Sequence, residues 1–356
     1  MEEPLINDTQ IKARSKYYRP AVERLRIVLM FFACICLIGF PTSYGGIVKT
    51  VCGFAPIAFF ILSGYLVLRE SENRRKRIVR AVRRSAVVFG VLAAVYFVIN
   101  MLYYFSLGAN IFTALAGAGK RLWFNFIVLN VWPFEIGTSV WYVQSLLYAY
   151  IIIYFLEKLR LLKYDWIIAA VLIVFTVITG ELAGVIRWNI LGYNFIPGNF
   201  FTRALPYILL GGAIHRKIKS LSNIARPIYW LGIVLGIGLC VGEIYLLGYL
   251  GVSGYYGHLI GMAVIAFSVC MLAFQDRSPE DGFEMIFNGN RRYANMIYYL
   301  CQPVSVGIVL LLSNIDHDIF IAASGWIGIV TFVLCFAVLC AAAFVQRFWS
   351  FAFANN

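Results

Sequence analysis

Ten apolar runs follow one another along this 356-residue chain, each bounded by short polar or basic connections. They lie near 27–43, 49–68, 86–106, 141–157, 165–182, 200–214, 228–247, 255–274, 294–313 and 320–345. A helix of about 17–25 apolar residues crosses a hydrocarbon core of ~30 Å. Lipid offers backbone groups no hydrogen bonds, so such runs must satisfy their own as helices. The expected fold is therefore an all-α, polytopic membrane helix bundle with about ten transmembrane helices. Composition supports this, with 62% hydrophobic and 13% charged residues. Soluble domains hold about 45–50% apolar and about 25% charged residues. One soluble core of this size cannot hide such a surplus.

The formal net charge of +13 matters here through its location. If the N-terminus is cytoplasmic, the internal segments are the head, 69–85, 158–164, 215–227, 275–293 and the tail. Only Lys49, Lys120, Arg121, Arg187 and Arg203 of the 30 Lys and Arg then fall on the opposite side. The positive-inside rule thus predicts both termini in the cytoplasm and charge that faces lipid headgroups, with no nucleic-acid partner. The organisation expected is a cytoplasmic segment 1–26, one transmembrane domain 27–345 and a cytoplasmic tail 346–356. The polar, basic first 25 residues and the long apolar run after them do not fit a cleavable signal peptide. In the 107–140 connection, residues 122–132 are apolar and aromatic but too short to span, which predicts a re-entrant or interfacial segment.

Several features carry possible chemistry. The eight cysteines (34, 36, 52, 240, 270, 301, 335 and 340) lie in apolar runs without metal-ligand spacing or a disulfide framework, and no metal is expected. Residues 116–120, Ala-Gly-Ala-Gly-Lys, are not a P-loop, because the first Gly is missing and Arg121 replaces Ser/Thr. Ser63 and Gly64 at the end of the second run are small enough for a neighbouring helix to approach, and Tyr65 suits the membrane interface. The Gly232/Gly236 and Gly238/Gly242 pairs predict close helix packing in the same way. Arg77, Arg80 and Arg84 recur at i, i+3 and i+7, giving one basic helical face that suits either anionic lipid headgroups or the phosphates of coenzyme A. Glu243 lies inside the seventh run, and either works there, or snorkels outward or pairs with Arg187 or Arg203.

The Phe59-Phe-Ile-Leu-Ser-Gly-Tyr65 motif, the basic segment after it and the ten spans resemble the acyltransferase-3 membrane family. Trp141-Tyr142, the 209–213 Leu-Leu-Gly-Gly-Ala stretch and the 297–303 segment with Gln302 are similar too. The resemblance implies a membrane O-acyltransferase of a bacterial cell membrane. Its donor would be a cytoplasmic acyl-CoA, held by Arg26, Arg77, Arg80 and Arg84. Its acceptor would be a cell-surface or exported glycan, or a lipid-linked intermediate, to which an acetyl group is transferred. Ser63, Gly64, Tyr65, Trp141 and Gln302 would shape the core.

This chain departs from the family at the residue that does the work. The first span of the family carries an Arg, ten intervening residues and then a His regarded as catalytic. Arg26 is present, but the His position is Leu37, and no His occurs before His215. Gln302 stands where the family has a His before Pro. Such a base contributes ~10²–10⁴-fold, so the sequence predicts little conventional activity unless another group serves. Cys36 is turned ~100° from position 37 along a helix. His215 belongs to a basic turn with Arg216 and Lys217, and His317 to an external turn between Asp316 and Asp318. His258 and Glu243 are the remaining candidates. The alternative function is an inactive descendant that transports a glycan or lipid intermediate or acts as a scaffold; an ion-coupled transporter centred on Glu243 fits less well, with so few charges inside the membrane.

Overall fold

The computed structural model describes residues 20–38, 44–70, 73–106, 139–179, 200–251 and 258–276, single residues between 108 and 137, and parts of 299–308 and 326–341. The fold is all-helical among these residues: α1 (Pro20–Ile38), α2 (Gly45–Val51), α3 (Phe54–Val67), α4 (Arg74–Ser106), α5 (Val140–Lys158), α6 (Asp165–Thr179), α7 (Phe200–Arg203), α8 (Leu205–Leu221), α9 (Arg226–Tyr249) and α10 (Ile260–Gln275). Among the described residues, five stretches are long and apolar enough to cross a membrane: Gly45–Val67, Arg74–Phe105, Val140–Lys158, Leu161–Thr179 and Arg226–Tyr249. Arg187, Gln302, His317 and the 116–121 stretch lie outside the described residues.

Helix starts follow from backbone chemistry. Pro56, Pro206 and Pro227 each stand in the first turn of α3, α8 and α9, where a missing N–H costs nothing. Between α5 and α6 the chain reverses through Arg160, held at φ 58°, and the 3-10 turn Leu161–Tyr164. The basic segment after α3 is less of a loop than its charge predicts. From Arg74 it is already the first part of α4, whose 33 residues span roughly 50 Å. Arg and Lys are good helix formers, so the helix extends beyond the thickness of hydrocarbon it can fill. The sixth apolar run, short in sequence, continues through His215 to Leu221 as α8, and in the eighth the helix α10 begins at Ile260, just after His258 and Leu259.

The centre of the bundle is the crossing of α3 and α8. Phe54, Ala55, Ile57, Phe60, Ile61 and Leu62 of α3 are all buried. A Cβ on Gly64 would collide with the backbone of Ile208, and one on Gly211 with the carbonyl of Ile61. Two glycines, one from each helix, thus bring the backbones into direct contact. On the other side of α10, Gly232 meets Ser268 and Gly236 meets Ile265, as their spacing predicts; Gly238 and Gly242 face open space, so that pair is not a packing site. Only one face of α9 meets α10, and residues 238 and 242 lie off it.

Ion pairs mark one end of the bundle. Arg74 of α4 bonds Glu157 of α5 at 2.9 Å, and Arg216 of α8 pairs with Asp165 of α6 and, at 4.0 Å, with Glu70 after α3. Arg24 of α1 and Arg226 of α9 both approach Asp276 after α10, at 3.8 and 3.4 Å. The helix ends that carry these residues therefore share one end of the fold.

Candidate functional site

Two polar compartments lie beside α1 and abut across the Phe60 side chain. The first is nearer the ion-paired end. Ser63, on α3, shares hydrogen bonds with the hydroxyls of Tyr142 and Tyr150 on α5. Arg26 of α1 is bonded to Glu23 at 2.9 Å, and its charge also reaches Tyr142 and Tyr150. The charge of Arg84, an exposed residue of α4, is felt at Tyr150 and Tyr299. Tyr96 and Ser139 join above, sharing a 2.8 Å hydrogen bond, and the Tyr96 hydroxyl donates to the Tyr299 carbonyl. Sequence reasoning singled out Arg26, Ser63 and Arg84 as site residues and named Tyr142 and Tyr299 only as parts of family-like segments; Tyr96 and Tyr150 it did not single out.

The basic face of α4 divides in the structure. Arg77 donates to the carbonyls of Val67 and Arg69 and so caps the end of α3. Arg80 and Arg84 are both exposed, and of the three it is the charge of Arg84 that is felt at Tyr150 and Tyr299. Helical spacing placed the three on one face; the neighbouring helices decided that they have different surroundings.

The second compartment is a cavity of about 70 Å³, room for a few water molecules. Ala33, Cys36 and Leu37 of α1 line it with Gly53, Phe60 of α3, Trp141 of α5, Arg203 of α7 and His258. His258 is only 3% exposed and stacks on Tyr207 of α8, with ring centroids 6.0 Å apart. The Arg203 guanidinium lies 5.7 Å from the Trp141 ring. His258 therefore opens into the same cavity as Leu37, although 221 positions separate them in sequence. Cys36 borders it as well. The cavity is broad enough to take in neighbouring positions of α1, so a 100° offset does not exclude the thiol.

Phe60 is the wall between the compartments. It lines the cavity and stacks on Tyr142 at 4.8 Å, while Trp141 meets it edge-on at 6.0 Å. Tyr65, expected at the interface, is buried instead, stacked 3.9 Å from Phe274 and edge-on to His215 at 4.9 Å. It serves as a packing link from α3 to α8 and α10. His215 sits against this aromatic pair, away from the cavity lining.

Glu243 has a structural partner that neither reading named. Its carboxylate accepts the backbone N–H of Ile260 and of Gly261, both at 3.1 Å. It caps the start of α10 from a neighbouring helix, where the first N–H groups have no partners of their own and the helix dipole favours negative charge. Two residues before that cap stands His258. Glu243 is absent from the cavity lining, so it holds the histidine's segment without touching the space.

Of the 122–132 connection, the described Phe126 and Asn130 bond the first part of α5. The Gln144 amide donates to the Phe126 carbonyl at 2.7 Å, and Asn130 donates to the Trp141 carbonyl at 2.8 Å. Trp132 packs with Tyr96, Ile136 and Val140.

A helical bundle with polar groups and a buried histidine inside apolar walls is the frame of a membrane protein with an internal site. A family model described as an acyltransferase domain matches residues 19–345, and the chain belongs to that acyltransferase-3 family. No curated protein and no solved structure matches it.

Proposed function

We propose that this protein is a membrane-bound O-acyltransferase whose general base is His258. The observation that carries the reading is the shared cavity: a buried imidazole faces the space that Leu37 leaves without a proton acceptor. The ion-paired, basic end faces the cytoplasm and receives acyl-CoA. Arg26 and Arg84 are suited to its phosphates, because guanidinium matches phosphate oxygens in a bidentate way. The acceptor hydroxyl of a cell-surface or exported glycan enters from the opposite end. His258 takes its proton, the oxygen attacks the thioester carbonyl, and coenzyme A leaves as the thiolate, which is then protonated. Arg203 is close enough to the cavity to stabilise the oxyanion formed on the carbonyl. The acyl group is acetyl in this reading, which the small cavity favours.

Transfer from labelled acetyl-CoA to exported polysaccharide, with membranes bearing the protein, tests the proposal. Activity in the parent that falls ~10²–10⁴-fold in His258→Ala supports it. Full activity in His258→Ala removes the assigned base. The apolar side chain at position 37 favours a second reading, an inactive family descendant that moves a glycan or lipid intermediate. Silence in the parent with activity in Leu37→His would select that reading.

A further inference from the structure

A groove of about 840 Å³ runs along the outside of the bundle between α1, α2, α9 and α10, away from both compartments. Its walls are apolar: Val28 and Phe32 of α1, Val51 of α2, Ile233 and Ile237 of α9 and Val269 of α10. Only one end is charged. There Arg24, Arg226 and Asp276 line it together, two guanidiniums against one carboxylate at 3.8 and 3.4 Å. The Arg226 side chain is 55% exposed.

We infer that this groove is a binding site for one anionic phospholipid of the cytoplasmic leaflet, its phosphate on Arg24 and Arg226 and one hydrocarbon chain along α9. Three observations argue for this occupant. The charged end is cationic in balance, which suits a phosphate monoanion and does not favour a zwitterionic headgroup equally. That end coincides with the ion-paired end of the bundle, where headgroups of that leaflet would lie. The groove runs from Arg226 to Val241 of α9, roughly 22 Å, which covers the ~15 Å depth of one leaflet. A loose annular lipid would need neither the concavity nor the charge at its end. The site is independent of acyl transfer, and its test does not depend on activity.

The full chain, purified in a neutral detergent and stripped of lipid, is titrated with phosphatidylglycerol, phosphatidylcholine and inorganic phosphate. Bound lipid is read by native mass spectrometry. Retention of one phosphatidylglycerol, with phosphatidylcholine at least tenfold weaker and phosphate without effect, is the expected result. The Arg24→Gln/Arg226→Gln double variant should lose the headgroup preference. Ile237→Trp, which fills the groove and leaves the charges in place, should lose retention of both lipids. Lys76→Gln/Arg83→Gln, on exposed parts of α4, should behave as the parent, as checked by an unchanged size-exclusion profile for every variant. Equal retention of both phospholipids by the parent, or parent-like retention in Ile237→Trp, overturns the inference; binding of phosphate alone at the same strength shows an anion site without a lipid groove.

Discussion

At the scale of single residues, the proposed mechanism gives His258 the role that Leu37 cannot fill. A histidine on the first helix would face the cavity from α1; here the imidazole reaches the same space from the segment before α10. Leu37→His/His258→Ala should therefore regain part of the transfer activity that His258→Ala loses, measured with labelled acetyl-CoA. Glu243 belongs to the same argument as a positioning residue. Its carboxylate fixes two backbone N–H groups just after His258, and the loss of such a cap costs roughly 0.5–2 kcal/mol. Glu243→Ala should lower kcat by about tenfold through a displaced imidazole while leaving KM for acetyl-CoA near its parent value. Glu243→Gln, which keeps an accepting oxygen, should restore most of the rate. A base at position 243 would instead be lost equally in both variants.

Helix contacts set the next scale. At the α3–α8 crossing the backbones touch at Gly64 and Gly211, so neither position admits a methyl group without movement of backbone. Gly64→Ala should destabilise the protein by about 1–3 kcal/mol, the usual cost of overpacking, seen as a lower midpoint of thermal aggregation in detergent. Ala at Gly238 or Gly242, which meet nothing, should leave that midpoint unchanged. At the ion-paired end, Asp165 is 1% exposed and paired with Arg216. Removal of one partner from a buried pair strands the other charge and costs about 3–5 kcal/mol. Asp165→Ala should thus lower stability more than Glu70→Ala, whose carboxylate is 64% exposed and 4.0 Å from the same Arg216. Equal shifts in the two melting curves would show that burial of the pair contributes little.

For the whole molecule, the prediction concerns orientation. The ends of α3, α5, α8 and α10 and the starts of α1, α4, α6 and α9 share the ion-paired end. In a cysteine-free background, Asn73→Cys near that end should be shielded from an impermeant thiol reagent added outside cells. Tyr44→Cys at the opposite end, where Tyr44 is 66% exposed, should react. The reverse pattern would invert the membrane orientation and, with it, the side from which acyl-CoA enters.

The sequence by itself determined that the chain is a helical membrane bundle, because length and apolarity of a run decide spanning without reference to any neighbour. It also carried the family resemblance, through residues 59–65 and their flanking basic stretch, and it marked Ser63, Gly64, Gly232 and Gly236 as contact points by size alone. Local rules reached less far where two or more helices meet. Periodicity put Arg77, Arg80 and Arg84 on one face, but the carbonyls at the end of α3 take Arg77 while Arg80 and Arg84 stay exposed. Glu243 read as an isolated intramembrane charge, because its partners are backbone N–H groups that every residue possesses and no sequence displays. Tyr65 read as an interface residue, yet Phe274 and His215 enclose it. Above all, only the tertiary structure placed His258 beside Leu37, since a cavity between α1, α3, α5 and α7 is a property of their packing and leaves no periodic trace in any one of them.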